Sequence, residues 1–187
     1  MLTIDTQTLI MLAGGVVLLL IALAASIVYR KKQSHRLRER FGQEYDRSVD
    51  ALGSRSKAET ELKAREKRVE HLNILPLAPA EAARLNQNWK DLQGRFVDSP
   101  KSAVAQADQL VRELMLKRGY PMGDFERRAA DISVDHPEVV AHYRAAQAIA
   151  VRDERGEADT EELRKAVVHY RALFDELLEV REDRHAA

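Results

Sequence analysis

The stretch PEVVAHYRAAQAIAVRDERGEADTEELRKAVVHYRALFDELLE, residues 137–179, holds two helical periods around a polar, glycine-containing break. Val139, Val140, Tyr143, Ala146 and Ala150 recur at helical spacing, as do Leu163, Val167, Tyr170, Phe174 and Leu177; this predicts helices over Pro137–Arg152 and Thr160–Glu179. The loop Glu154–Asp159 is short, and short connections join antiparallel helical neighbours. Ala141-His142-Tyr143-Arg144-Ala145 returns as Val168-His169-Tyr170-Arg171-Ala172, and the midpoint of the two copies falls inside that loop. Both copies therefore sit at one level of the hairpin, with Tyr143 and Tyr170 meeting across the seam. Antiparallel helices rotate in opposite senses seen from one end, so His142 and His169 should emerge on the same flank.

Breakers divide the chain on the N-terminal side of the hairpin into further helices. Asp124 can cap a short helix over Phe125–Ile132, Asp135 the first arm of the hairpin, and Asp159 or Thr160, with Glu162, the second. Ser99-Pro100 reads as N-cap and first turn of a helix carrying Ala103, Val104, Ala107, Leu110, Val111, Leu114 and Met115, which stops at Gly119-Tyr120-Pro121. Ala82, Leu85, Trp89, Leu92 and Phe96 form another seam from Pro79 onward, with Gly94 marking close packing or an early end. Asn73 to Pro79 holds two prolines and reads as a docked linker. Upstream, Lys57–Leu72 has a thin apolar stripe, and Leu37, Phe41, Tyr45, Val49 and Leu52 make one amphipathic helix closed by Gly53-Ser54, suited to a membrane interface or to packing on the domain. Strand-like alternation is almost absent, so the expected fold is all-α, with a helical bundle over residues 73–187.

Residues 9–28, LIMLAGGVVLLLIALAASIV, carry no charge and are followed at once by Tyr29, Arg30, Lys31 and Lys32. As a helix they reach about 30 Å, the thickness of a bilayer's hydrocarbon core. Asp5 is the one charged side chain before them, which does not suit a cleaved signal peptide. The expectation is a retained single span over residues 9–29, a short extracytoplasmic N-terminus over 1–8 and a basic stalk over 30–72. Arg30, Lys31, Lys32, Arg36, Arg38 and Arg40 crowd one end of the span, which places the N-terminus outside and the remainder in the cytoplasm, at an inner membrane. With Tyr29, these cations are the candidates for contact with anionic headgroups. Ala22 and Ser26, with Gly15 one heptad before Ala22, offer a face for homo-oligomerisation.

The formal net charge of zero hides an asymmetry. Residues 30–69 hold 13 Lys or Arg against 7 Asp or Glu, whereas residues 70–187 hold 17 against 22. A basic segment beside an acidic body suits a lipid surface and argues against nucleic acid as the principal partner, since the body opposes phosphate. The chain has no cysteine, which agrees with a cytoplasmic body without deciding it.

Signatures of catalysis are missing. There is no glycine-rich phosphate loop, no H-E-x-x-H, no G-x-S-x-G and no thiol nucleophile. His142 and His169, with Glu138 one turn away, permit a metal or small-ligand sensor, but no established ligand spacing is present. The preferred reading is an aromatic core pair flanked by two histidines, with no metal or cofactor. Ser133-Val134-Asp135-His136-Pro137 is read as a capping sequence, and the abundant carboxylates as solvated helix faces paired with Arg and Lys.

Several strings are distinctive: Arg38-Glu39-Arg40-Phe41-Gly42 with Glu44-Tyr45-Asp46-Arg47, Ala64-Arg65-Glu66-Lys67-Arg68-Val69, Ser133 to Pro137, and Gly156-Glu157-Ala158-Asp159-Thr160 through His169-Tyr170-Arg171. In these the chain resembles an uncharacterised bacterial family of small proteins with one N-terminal span. That resemblance implies a span followed by a helical domain, and implies no activity. The family pattern often has proline where this chain has Gln43, which bears on whether the helix is interrupted there. The functional expectation is a membrane-anchored interaction or scaffold protein with a protein partner. The alternatives are the His142/His169 sensor and, more remotely, an enzyme with an unfamiliar site.

Overall fold

Proline, glycine and acidic caps set the helix boundaries. A computed structural model describes residues 6–178, apart from the side chains of residues 6–13, 16 and 17. Its described residues form eight α-helices and no strand: α1 Thr6–Phe41, α2 Gln43–Leu52, α3 Arg55–Val69, α4 Pro79–Arg95, α5 Pro100–Arg118, α6 Phe125–Asp135, α7 Pro137–Glu154 and α8 Thr160–Leu177. The fold is all-α. Pro79, Pro100 and Pro137 each open a helix, where the missing N–H would have no intrahelical acceptor in any case. Asp124 caps α6 by accepting from the Arg127 N–H at 2.8 Å. Asp159 and Glu162 form a reciprocal capping box at the start of α8.

Two boundaries differ from expectation. Residues 37–52 are not one helix: Gly42 takes φ 50°, a left-handed value glycine adopts readily, and separates α1 from α2. Asp135 does not cap α7. It completes α6, and His136 occupies the N-cap position without a side-chain cap hydrogen bond. Gly94 has open space around it, so it does not mark close packing; it is the penultimate residue of α4, which ends at Arg95, short of Phe96 in the expected seam. Glu179, the expected last residue of the hairpin, lies outside the described residues.

The chain divides into two compact units, Met1–Arg40 and Phe41–Ala187. In the first, α1 presents Leu18, Leu19, Leu20, Ile21, Leu23, Ile27, Val28 and Tyr29 as exposed side chains. Among the described residues, no helix is long and apolar enough to cross a membrane. Part of the expected span, including the side chains of residues 9–13, 16 and 17, lies outside the described residues. The unbroken described run from Leu18 to Val28 is by itself shorter than the ~20 residues a crossing needs.

In the second unit, α4, α5, α7 and α8 enclose the core. Leu85, Trp89 and Leu92 of α4 meet Val111, Leu114 and Met115 of α5, and Tyr143 of α7 meets Tyr170, Leu173 and Phe174 of α8 within the same cluster. Trp89 and Phe174 stack with ring centroids 4.7 Å apart. Segment 73–79 is docked, as its prolines imply: the Leu75 N–H donates to the Arg118 carbonyl at 2.9 Å, and Leu77 is buried. The α2–α3 hairpin packs on α6 and α7. Phe41, at the end of α1, and Tyr45 of α2 are buried, whereas Leu52 is exposed. The stripe thus serves domain packing at these positions.

Candidate functional site

The α7–α8 hairpin brings the repeated motif together. Tyr143 and Tyr170, both fully buried, meet edge-on with centroids 6.3 Å apart. Their environments differ. The Tyr143 hydroxyl accepts from Arg128 Nε at 3.0 Å, while Tyr170 donates to Gln147 Oε1 at 3.4 Å. Burial raises the phenol pKa of both, for Tyr170 reinforced by the charge of Asp108, so both remain neutral.

On the flank of that seam, His142 and His169 stand with their Nδ1 atoms 2.9 Å apart and ring centroids 5.1 Å apart. At that separation an Nδ1–H of one ring can donate to Nδ1 of the other, the tautomers setting which ring is the donor. His142 is exposed and His169 half-buried. Burial, with the charge of His142 adding to it, lowers the His169 pKa from the ordinary imidazole value. Further along the same antiparallel seam, His136 Nδ1 donates to Glu176 Oε1 at 2.9 Å, and Arg152 is joined to Glu162. Glu138 is not gathered into a metal cluster with the two histidines: among the described residues, no group of three or more His, Cys, Asp or Glu side chains could hold a metal.

Tyr29, Arg30, Lys31, Lys32, Arg36, Arg38 and Arg40 all lie exposed on α1, in the first unit. Being on one continuous helix, they wind around its surface at successive turns. His35 Nδ1 and Glu39 Oε1, four residues apart, approach to 3.6 Å.

A second polar assembly was not anticipated from sequence. Glu44 of α2, only 3% exposed, accepts from Arg65 Nη1 of α3 at 3.0 Å and from Arg144 Nη2 of α7 at 2.9 Å. Arg144 also donates to Glu126 of α6 at 2.7 Å. Burial opposes the charge of Arg144, but its hydrogen bonds to Glu44 and Glu126 outweigh it and raise its pKa. Beside this network, Arg68 of α3 donates to the buried Asp131 of α6 at 2.8 Å. One signal lay in the sequence: Glu44 follows Phe41 by three residues and precedes Ser48 by four, placing a carboxylate on the inward stripe. Its two arginine partners, 21 and 100 residues away, had no local signature.

Chemically, the α2–α3–α6–α7 assembly is a saturated ion-pair network suited to holding a hairpin in place. The histidine pair is different, because it lies on a flank of the bundle where His142 is exposed and His169 half-buried. Compared with known proteins, the chain matches no family model, no curated protein and no solved structure.

Proposed function

We propose that the protein is a membrane-anchored, non-catalytic interaction module whose α1 inserts through Leu9–Val28 and whose bundle recruits a protein partner at the inner face of a bacterial membrane. The observation that carries this reading is the exposed apolar surface of α1 from Leu18 to Val28, followed immediately by exposed cations from Arg30 onward. A helix 36 residues long has rise enough, at about 1.5 Å per residue, for a span and a projecting basic segment. Arg30, Lys31, Lys32, Arg36, Arg38 and Arg40 then lie at the cytoplasmic headgroups, each suitably placed cation contributing about 1 kcal/mol against anionic lipid.

The scaffold part of the reading rests on a core filled by side chains such as Trp89, Tyr143, Tyr170 and Phe174, and on the absence of a recognised catalytic sequence motif. A partner would dock on an outer bundle face, and Ala22 with Ser26 would provide self-association within the membrane.

Membrane fractionation tests the anchor. The full chain should sediment with membranes and resist alkaline carbonate extraction, while Leu19→Arg combined with Leu23→Arg should release it, since each central arginine opposes insertion by about 2.5–3.5 kcal/mol. A C-terminal reporter should be active in the cytoplasm and silent outside it. Quantitative carbonate release of the unaltered chain overturns the anchor, and a reporter active only outside overturns the orientation.

A further inference from the structure

We propose that His142 and His169 form a two-histidine chelating site for a divalent transition-metal ion that favours tetragonal geometry, Cu2+ above all, with solvent completing the coordination shell. Metal–imidazole bonds measure about 2.0–2.1 Å, so two nitrogens sharing one ion at a cis angle of about 90° lie about 2.9 Å apart, whereas a tetrahedral angle requires about 3.3 Å. The separation of Nδ1 atoms here is 2.9 Å. It fits adjacent corners of the square-planar or tetragonal N,O arrangement preferred by Cu2+ and Ni2+, and the general affinity order favours Cu2+.

The scaffold supplies preorganisation. Each histidine directly precedes a fully buried tyrosine, and the two tyrosines meet inside the seam, so helix packing sets the spacing of the imidazoles. Flanking cross-helix pairs, His136 with Glu176 and Arg152 with Glu162, fasten the same seam on either side. His142 is exposed, leaving coordination positions open to water or to a group on a partner. No third cluster member exists among the described residues, so the protein contributes two ligands.

The proton inventory also closes. In the neutral pair, one ring bears its proton on Nδ1 and the other on Nε2. When both Nδ1 atoms bind the ion, the first ring's proton moves through solvent to its own Nε2, and no net proton is released. The site depends on the bundle alone and stands whether or not α1 enters a membrane.

The test uses the full chain in mild detergent, free of any affinity tag, titrated with Cu2+ alone and followed by electron paramagnetic resonance. Expected are one tightly bound Cu2+ per chain and a tetragonal spectrum with coupling to two imidazole nitrogens. His142→Gln with His169→Gln should weaken that binding by at least the roughly ten- to hundredfold that even outer-sphere partners of metal sites cost, and should abolish the coupling. His136→Gln should preserve both. Each single glutamine variant, with helicity checked by circular dichroism, should retain coupling to one nitrogen, so an unfolded double variant does not end the test. Unchanged affinity in folded single variants, or a spectrum without two histidine nitrogens in the unaltered chain, overturns the proposal. A stable four-nitrogen Zn2+ complex joining two chains in preference to Cu2+ overturns the cis geometry.

Discussion

Glu44 on α2 and Arg144 on α7, 100 residues apart in sequence, are joined by two hydrogen bonds of 2.9 and 3.3 Å. Arg65 adds a third contact to the same carboxylate. The apolar core cluster runs from Leu77 to Leu177 and contains no residue of α2 or α3. Charge pairing, together with a smaller set of buried side chains such as Tyr45 and Leu62, therefore fixes this hairpin.

Removing the buried carboxylate leaves its arginines with only solvent-facing partners. Glu44→Ala should destabilise the second unit by about 3 kcal/mol, at the low end for breaking a buried pair, because Arg65 and Arg144 each lose one acceptor and keep only Glu61 and Glu126. Glu44→Leu combined with Arg65→Met and Arg144→Met should recover much of that loss. Urea unfolding followed through Trp89, the single tryptophan, measures both. A loss below about 1 kcal/mol in Glu44→Ala refutes the account.

Glycine-to-alanine exchange should have opposite signs at two positions. Gly119 ends α5 at φ 99°, and an added Cβ would collide with the Asn73 carbonyl oxygen, a backbone atom of the docked linker. Gly119→Ala should cost more than about 1 kcal/mol and loosen the Leu75–Arg118 hydrogen bond. Gly94, inside α4 with nothing near its missing side chain, should instead gain up to about 1 kcal/mol as alanine. Equal signs in thermal denaturation would contradict the backbone argument.

Capping explains why much of the bundle was legible. Asp124 and the Asp159/Glu162 pair act within three residues, so their chemistry is visible in a short window. The level pairing of His142 with His169 was also readable, since one short loop and one repeated tetrapeptide fix an antiparallel register. Asp135 misled because the same residue type that starts a helix can end the preceding one, and α6 extends up to the Pro137 boundary. The partners of Glu44 stayed hidden because arginines on an amphipathic helix look alike until tertiary packing selects which are buried. Asp159→Ala should accordingly cost about 1 kcal/mol, measured by urea unfolding, with fraying confined to the start of α8 in hydrogen exchange.

The histidine pair should make stability pH-dependent in one direction. His169 titrates below its unfolded value of about 6.5, because burial and the charge of His142 disfavour its imidazolium form. Between the folded and unfolded pKa values, the unfolded chain binds more protons. The contribution is therefore complete above about pH 6.5 and is lost as pH falls toward the folded value. Glu138 lies one turn before His142 on α7 and Lys165 one turn before His169 on α8, while His136 and Glu176 form the neighbouring pair. These groups remain in His169→Gln, so the difference between the two proteins isolates the histidine contact. The unaltered chain should lose more melting temperature than His169→Gln when pH is lowered from about 7 to about 5. Parallel melting curves across that interval would mean that the close approach of the two rings carries no differential proton affinity.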